Sequence, residues 1–129
     1  MQLTKNFALS EFSCNDKAKT PVPDDLIPNV QELANNLQVL RDFLKTSLHI
    51  NSGYRTPEYN KKVGGASQSQ HLLGKAADIR SDKYTPAQIY QAISGLIAQG
   101  KMKEGGLGRY NTFTHYDIRG TKSRWDLRK

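Results

Sequence analysis

A long apolar stripe in the first half of the chain constrains the fold more than any other feature. The stripe consists of Val30, Leu33, Leu37, Leu40 and Leu44. Steps of three and four residues place these side chains on one face of an α-helix. We therefore predict a helix over about 27–47 whose apolar face packs on the protein core.

Short strands and helices are predicted for the rest of the chain. Segments 47–51, 76–79 and 113–118 have the composition and alternation of strands. Thr56-Pro57 and the capping box Thr85-Pro86-Ala87-Gln88 are typical helix starts. The glycine-rich segment 105–108 is predicted to be a tight turn, and 120–129 a polar, basic tail. These elements predict one α+β domain over 1–129, with a small antiparallel sheet and flanking helices.

Composition narrows the classes of function. The 129 residues include one cysteine, which excludes an internal disulfide and a multi-cysteine metal site. No apolar run approaches the roughly 20 residues of a transmembrane helix, and the polar amino terminus shows no signal peptide. The net charge of +7 suggests either a solvated basic surface or a polyanionic partner, such as nucleic acid or the bacterial cell wall. The hypothesis of a nucleic-acid partner rests on the net charge alone, because the sequence contains no nucleic-acid recognition motif.

Two histidines and one aspartate are candidate metal ligands. Asp78 follows His71 by seven residues, after a glycine that lets the chain turn, and His115 lies in the predicted strand 113–118. Two imidazoles and one carboxylate are a typical zinc ligand set that leaves the fourth position open for water. The spacing alone does not establish the site, because it is also compatible with three polar residues on unrelated loops.

The motifs around these residues carry a family resemblance. In order, they are Ser52-Gly-Tyr-Arg-Thr-Pro57, Asn60, Val63-Gly-Gly-Ala66, Ser69-x-His-x-x-Gly-x-Ala-x-Asp78, Gly106-x-Gly-x-Tyr110 and Phe113-x-His-x-Asp117. Together, over about residues 5–125, they resemble the zinc D-alanyl-D-alanine carboxypeptidase family, whose fold is shared with the hedgehog signalling domain. The small members found in bacteriophages and bacteria, which cleave peptidoglycan, are the most similar.

The resemblance implies a role for several residues. One zinc ion would be bound by His71, Asp78 and His115. Arg55 would face the substrate, where its guanidinium neutralises a peptide carboxylate or the oxyanion on the scissile carbonyl. Ser69 would support the turn before His71 or contact the substrate.

One departure from the family pattern concerns proton transfer. Many relatives carry an acid three residues before the last histidine, where this chain has Thr112. Asp117 is the available replacement, because residues i and i+2 of a strand face the same side. It would either accept a proton from the zinc-bound water or orient His115.

Other polar and aromatic residues are weaker candidates. His49 is predicted to be a hydrogen-bonded structural histidine, with substrate contact as the alternative. Tyr54, Tyr110, Tyr116 and Trp125 either line a cleft or pack in the core, and of these we assign Tyr110 to substrate binding.

The resemblance implies zinc-dependent hydrolysis of an amide bond in peptidoglycan stem peptides or cross-links, as a carboxypeptidase or an endopeptidase. The alternative is a non-catalytic wall-binding or virion module on the same fold. We expect a monomer that binds peptidoglycan and no nucleic acid. It would be made in the cytoplasm and reach the wall by holin-type release, or be phage-associated.

Overall fold

Three helices and one five-stranded sheet form the core of the protein. A computed structural model describes all residues, 1–129. The helices are α1 (Ile27–Leu44), α2 (Pro57–Lys62) and α3 (Pro86–Ala98), and the strands are β1 (His49–Ser52), β2 (Ala76–Arg80), β3 (Gly106–Arg109), β4 (Thr114–Asp117) and β5 (Ser123–Asp126). Short 3₁₀ turns cover Leu9–Phe12, Asp24–Leu26 and Gln70–Leu73. The predicted α+β class is confirmed.

The apolar stripe of α1 faces the core as predicted. All five of its members are buried, and they belong to one hydrophobic cluster with Ile89, Ile93 and Leu96 of α3. The helix ends at Leu44, earlier than expected, because Lys45 adopts a left-handed conformation with φ of 55°. The capping box of α3 is present: the Thr85 hydroxyl accepts from the Gln88 amide, and the Gln88 side chain accepts from the Thr85 amide.

The sheet has the strand order β1-β2-β4-β3-β5 and is mixed. Its first three pairings are antiparallel, as predicted. The fourth differs, because β5 pairs in parallel with β3. β5 lies in the segment that the sequence indicated only as a polar tail. It reverses direction after β4 and then lies outside β3, so these two strands run the same way.

The glycine-rich segment predicted to be a turn is the strand β3. Its glycines allow neighbouring groups to approach the backbone closely, and they do not reverse the chain. A methyl group on Gly108 would overlap the indole ring of Trp125, which projects from β5. Trp125 therefore reaches the site described below because position 108 has no side chain. None of the three helices combines the length and the apolar composition needed to cross a bilayer.

Two glycine-to-alanine changes should have opposite effects on stability. Gly108→Ala forces the Trp125 ring to move, and overpacking of this kind costs about 1–3 kcal/mol. Gly95→Ala is the matched control, because nothing lies within 4 Å of the added methyl group and the residue is inside α3. It should stabilise the protein by about 0.5–1 kcal/mol. Urea unfolding measures both; equal stability of the Gly108→Ala variant and the wild type would contradict the packing argument.

Candidate metal centre and active site

His71, Asp78 and His115 converge on one buried point. His71 lies in the 3₁₀ turn Gln70–Leu73, Asp78 at the centre of β2, and His115 on β4. Asp78 and His115 are direct partners across the β2–β4 pairing. One ligand atom from each residue lies within 4.8 Å of the other two, and all three side chains are buried. The triad is therefore placed to bind a metal.

The separations within this triad fit a common zinc ion. His71 Nε2 is 3.4 Å and His115 Nδ1 is 3.1 Å from the same oxygen of Asp78, Oδ1. Ligands at about 2.0–2.1 Å in a tetrahedral arrangement are about 3.3–3.4 Å apart. Two imidazole nitrogens and one carboxylate oxygen are also the donor set that zinc prefers over magnesium or calcium.

Hydrogen bonds on the outer side of each ring determine which nitrogen faces the centre. His71 Nδ1 donates to the carbonyl oxygen of Gly53 at 2.7 Å, which leaves Nε2 free toward Asp78. His115 Nε2 donates to Asp117 Oδ2 at 2.7 Å, which leaves Nδ1 free toward Asp78. The two histidines thus present different nitrogens, and each tautomer is fixed by a protein acceptor.

Electrostatic coupling within the triad is strong. Burial disfavours the charged form of Asp78, but hydrogen bonds from His115 and His71 outweigh it and hold the pKa of this carboxyl well below its usual range. Burial also disfavours a charged His115, yet its hydrogen bonds to Asp117 and Asp78 raise its pKa. A metal ion would take the place of the proton that Nδ1 shares with Asp78. The site therefore keeps an ionised carboxylate, which is the form that binds a metal.

Asp117 lies behind His115 and outside the pocket. Its side chain has no exposed surface. Besides His115, it accepts from the backbone amide of Gly106 at 2.8 Å and from the guanidinium of Arg119 at 2.8 and 2.9 Å. Of the two roles that the sequence left open for Asp117, this geometry favours orienting His115. A general base lies within hydrogen-bond reach of the proton that it takes up, whereas this carboxylate does not line the pocket and bonds only to protein groups.

Arg55 lies beside Asp78 at the edge of the pocket. Each nitrogen of its guanidinium has a protein acceptor: Nε donates to Ser52 Oγ at 3.2 Å, Nη1 to Asn60 Oδ1 at 3.2 Å and Nη2 to Asp78 Oδ2 at 3.3 Å. Asn60 is itself buried and donates to the Ala66 carbonyl oxygen at 2.9 Å. The guanidinium is therefore held in place before any substrate binds.

A pocket of about 690 Å³ opens above the triad. Its lining includes the predicted substrate residues Arg55, Ser69 and Tyr110. Ser69 also accepts the His71 amide at 3.2 Å, so it supports the turn as the sequence indicated. An aromatic wall, defined here as Tyr110, Phe113 and Trp125, covers one side. Tyr110 stacks on Phe113 with ring centroids 4.3 Å apart and accepts from Trp125 Nε1 at 3.0 Å.

Several weaker candidates lie elsewhere. His49 pairs with Asp82 at 3.0 Å on the surface, as expected for a structural histidine, and it does not line the pocket. Tyr54 and Tyr116 are buried in the core and so belong to packing. Asp78 is the one acidic residue among the lining side chains, and Thr112 is exposed outside the pocket.

Arg119 and Phe113 both line the pocket, although the sequence did not predict either as a site residue, and Asn60 had no predicted role. Arg119 lies between the predicted strand 113–118 and the predicted polar tail 120–129, where a basic residue has no distinguishing context. The spacing Asp117-x-Arg119 was the available signal, since a buried carboxylate needs a charged partner.

Comparison with known families agrees with this geometry. The family model for peptidase M15 matches residues 5–117 of the chain. The chain therefore belongs to the peptidase M15 family, whose membership implies a zinc metallopeptidase activity. The match ends at Asp117, so Arg119 and β5 lie beyond it. No curated protein matches the chain.

Replacing Asp117 by Asn distinguishes orientation of His115 from proton transfer. If Asp117 orients the ring, Asp117→Asn should weaken zinc binding by about 10–100-fold, and added zinc should restore activity. A general base would instead show zinc affinity near wild type and a kcat lowered by about 10²–10⁴. Competition with a fluorescent zinc chelator measures the affinity.

Glu104→Gln is the matched control for that change. Glu104 is also an acid in an ion pair, with Arg124 at 2.8 Å, but it does not line the pocket. Its replacement should leave both zinc affinity and kcat unchanged. If Asp117→Asn behaves like this control, Asp117 has neither role.

Proposed function

We propose that the protein hydrolyses an amide bond in peptidoglycan stem peptides or cross-links, with one zinc ion as cofactor. The observation that carries the proposal is the convergence of His71, Asp78 and His115 at the base of an open pocket, in a chain of the peptidase M15 family. A catalytic zinc site has three protein ligands and one open position, and this arrangement supplies three.

The residues that would hold zinc are His71 through Nε2, His115 through Nδ1 and Asp78 through its carboxylate. When bound, zinc supplies a water of pKa near 7 and polarises the carbonyl to be attacked. The hydrogen bonds to Gly53 and Asp117 keep both imidazoles in the tautomer that binds, so little reorganisation is needed.

Arg55 is proposed to stabilise negative charge on the substrate. Its guanidinium is held by Ser52, Asn60 and Asp78 and lines the pocket beside the triad. A cation fixed in advance stabilises a developing oxyanion without the cost of moving into place. Ser69 and Tyr110 are proposed to contact the bound peptide, since both residues line the same pocket.

A wall-binding module without catalysis is the second candidate. It is favoured by one observation, namely that the pocket offers no carboxylate besides the ligand Asp78 to take up a proton. In that case the pocket would still bind wall peptides and the zinc would be structural. Turnover of purified peptidoglycan separates the two candidates.

Substitutions in the triad should abolish zinc binding and hydrolysis together. We expect His71→Ala and Asp78→Ala to lose both, because each removes one of three ligands. Arg55→Ala should keep zinc and lower kcat by about 10²–10³, the effect of losing one oxyanion donor. Zinc content measured by mass spectrometry and release of muropeptides from purified walls test these expectations.

His49→Ala and Asp82→Ala are the matched controls, because this histidine and aspartate pair on the surface outside the pocket. Both should keep zinc and activity. Zinc-loaded protein that sediments with peptidoglycan but releases no muropeptide would overturn the peptidase proposal and support the binding module. Wild-type kinetics in Arg55→Ala would remove Arg55 from the reaction.

A further inference from the structure

Arg119 lines the pocket and keeps N–H groups that have no protein acceptor. The residue lies two positions after the end of β4, and its side chain is 30% exposed. Nε donates to Asp117 Oδ1 at 2.9 Å and Nη2 to Asp117 Oδ2 at 2.8 Å, a bidentate pair. Nη1 has no protein acceptor, although the residue lines the pocket. This leaves both N–H groups of Nη1 and one of Nη2 without a protein acceptor, on a guanidinium that is held in place beside the pocket.

Arg119 differs in this respect from Arg55. All three nitrogens of Arg55 already donate to protein acceptors. The two guanidinium groups are also tied to carboxylates on opposite sides of His115, because Asp78 contacts its Nδ1 and Asp117 its Nε2. The pocket thus has two cationic positions flanking one metal ligand. Arg119 is the one of the two in which a whole nitrogen, Nη1, donates to no protein acceptor.

Asp117 holds the guanidinium of Arg119 in place, as it does the imidazole of His115. The carboxylate is fully buried and accepts the Arg119 backbone amide at 3.1 Å in addition to the side chain. Holding a guanidinium in advance reduces the entropy lost when it binds a ligand.

The charge of the pocket favours an anion. Its two arginines are each paired with one carboxylate, Arg55 with Asp78 and Arg119 with Asp117, so the two positive charges that a bound zinc ion would add are not offset. A planar guanidinium edge matches a carboxylate better than it matches a neutral amide. The aromatic wall lies beside it, with the guanidinium carbon of Arg119 5.6 Å from the Trp125 ring. Apolar parts of a ligand would therefore pack beside its charged group.

We propose that Arg119 binds a free carboxylate of the peptide substrate, on the Trp125 side of the pocket, separately from Arg55. This inference rests on the proposed function for the nature of the ligand. It makes Arg119 a substrate-binding residue that selects acidic peptides, and it gives Asp117 a second task, which is to set the position of that guanidinium.

Affinity for matched acidic and amidated peptides tests this proposal. The probes are a synthetic stem pentapeptide with all carboxylates free and forms with one carboxylate at a time converted to an amide. Trp125 is the only tryptophan of the chain and lies next to Arg119, so its fluorescence reports binding. Stopped-flow measurement on the zinc-loaded protein reads binding before turnover, and calorimetry covers any form without an optical change.

We expect one amidated form to bind wild type about 10–100-fold more weakly than the free acid, as for loss of a charged hydrogen bond. The measured quantity is the ratio of the dissociation constant of that amidated form to the dissociation constant of the free acid. In Arg119→Gln this ratio should fall to near one. Arg119→Lys should keep part of the ratio, because it retains the charge without the planar edge. The ratio is taken within each variant, so changes in zinc content or stability cancel.

Arg128→Gln is an unusually close control. Arg128 donates to Asp126 from its backbone amide at 3.1 Å and its Nε at 2.9 Å, with the same i, i+2 spacing and the same distances as the Arg119 pair. It is exposed and outside the pocket. Its replacement should leave the wild-type ratio intact.

Three results would overturn the proposal. They are equal binding of the acid and every amide by wild type, a ratio that survives Arg119→Gln, and the absence of saturable binding by any form. Failure of the peptidase proposal gives a different result, because the protein would then release no muropeptides from purified walls. If the protein shows no turnover but still prefers the free acid in a way that depends on Arg119, this inference is upheld and the peptidase proposal is not.

Discussion

Two buried carboxylates on the neighbouring interior strands β2 and β4 determine much of the surrounding structure. An ionised group removed from water is strongly destabilising unless it is paired, and losing one partner of a buried ion pair costs about 3–5 kcal/mol. Asp78 is compensated by His71, His115 and Arg55, and Asp117 by His115 and Arg119. His115 contacts both carboxylates. The centre of the sheet is therefore one electrostatic unit, and each of its members constrains the others.

This unit explains how a small protein can hold a reactive centre without large movements. The donor nitrogens already face one another, and their outer nitrogens are occupied by Gly53 and Asp117. Arg55 is held by the same network through Asp78. Stabilisation of a charged group by fixed neighbours is what makes a polar site effective when charge develops on a substrate. Folding stability and chemical competence thus depend on the same hydrogen bonds.

The sequence predicted features that follow from local pattern and missed those that depend on contacts between distant segments. The apolar spacing of α1 and the capping box of α3 are local, and both were confirmed. The sequence predicts a turn for β3, because its glycines are explained only by side chains from other segments: Asp117 and Arg119 at Gly106, and Trp125 at Gly108. β5 is polar and pairs through its backbone, so no apolar alternation marked it. The triad was found because its motif is distinctive, whereas Arg119 depends on the burial of Asp117.

The register of β2 against β4 has a consequence for how the chain folds. Asp78 lies directly opposite His115, although 37 residues separate them in sequence. A slip of one residue would move one of these side chains to the other face of the sheet, where it could not share a ligand with its partner. Only correctly paired strands would bind zinc, and binding stabilises the state that binds. The metal would thereby stabilise only chains in which β2 and β4 pair in the correct register, and misaligned chains would lack that stabilisation.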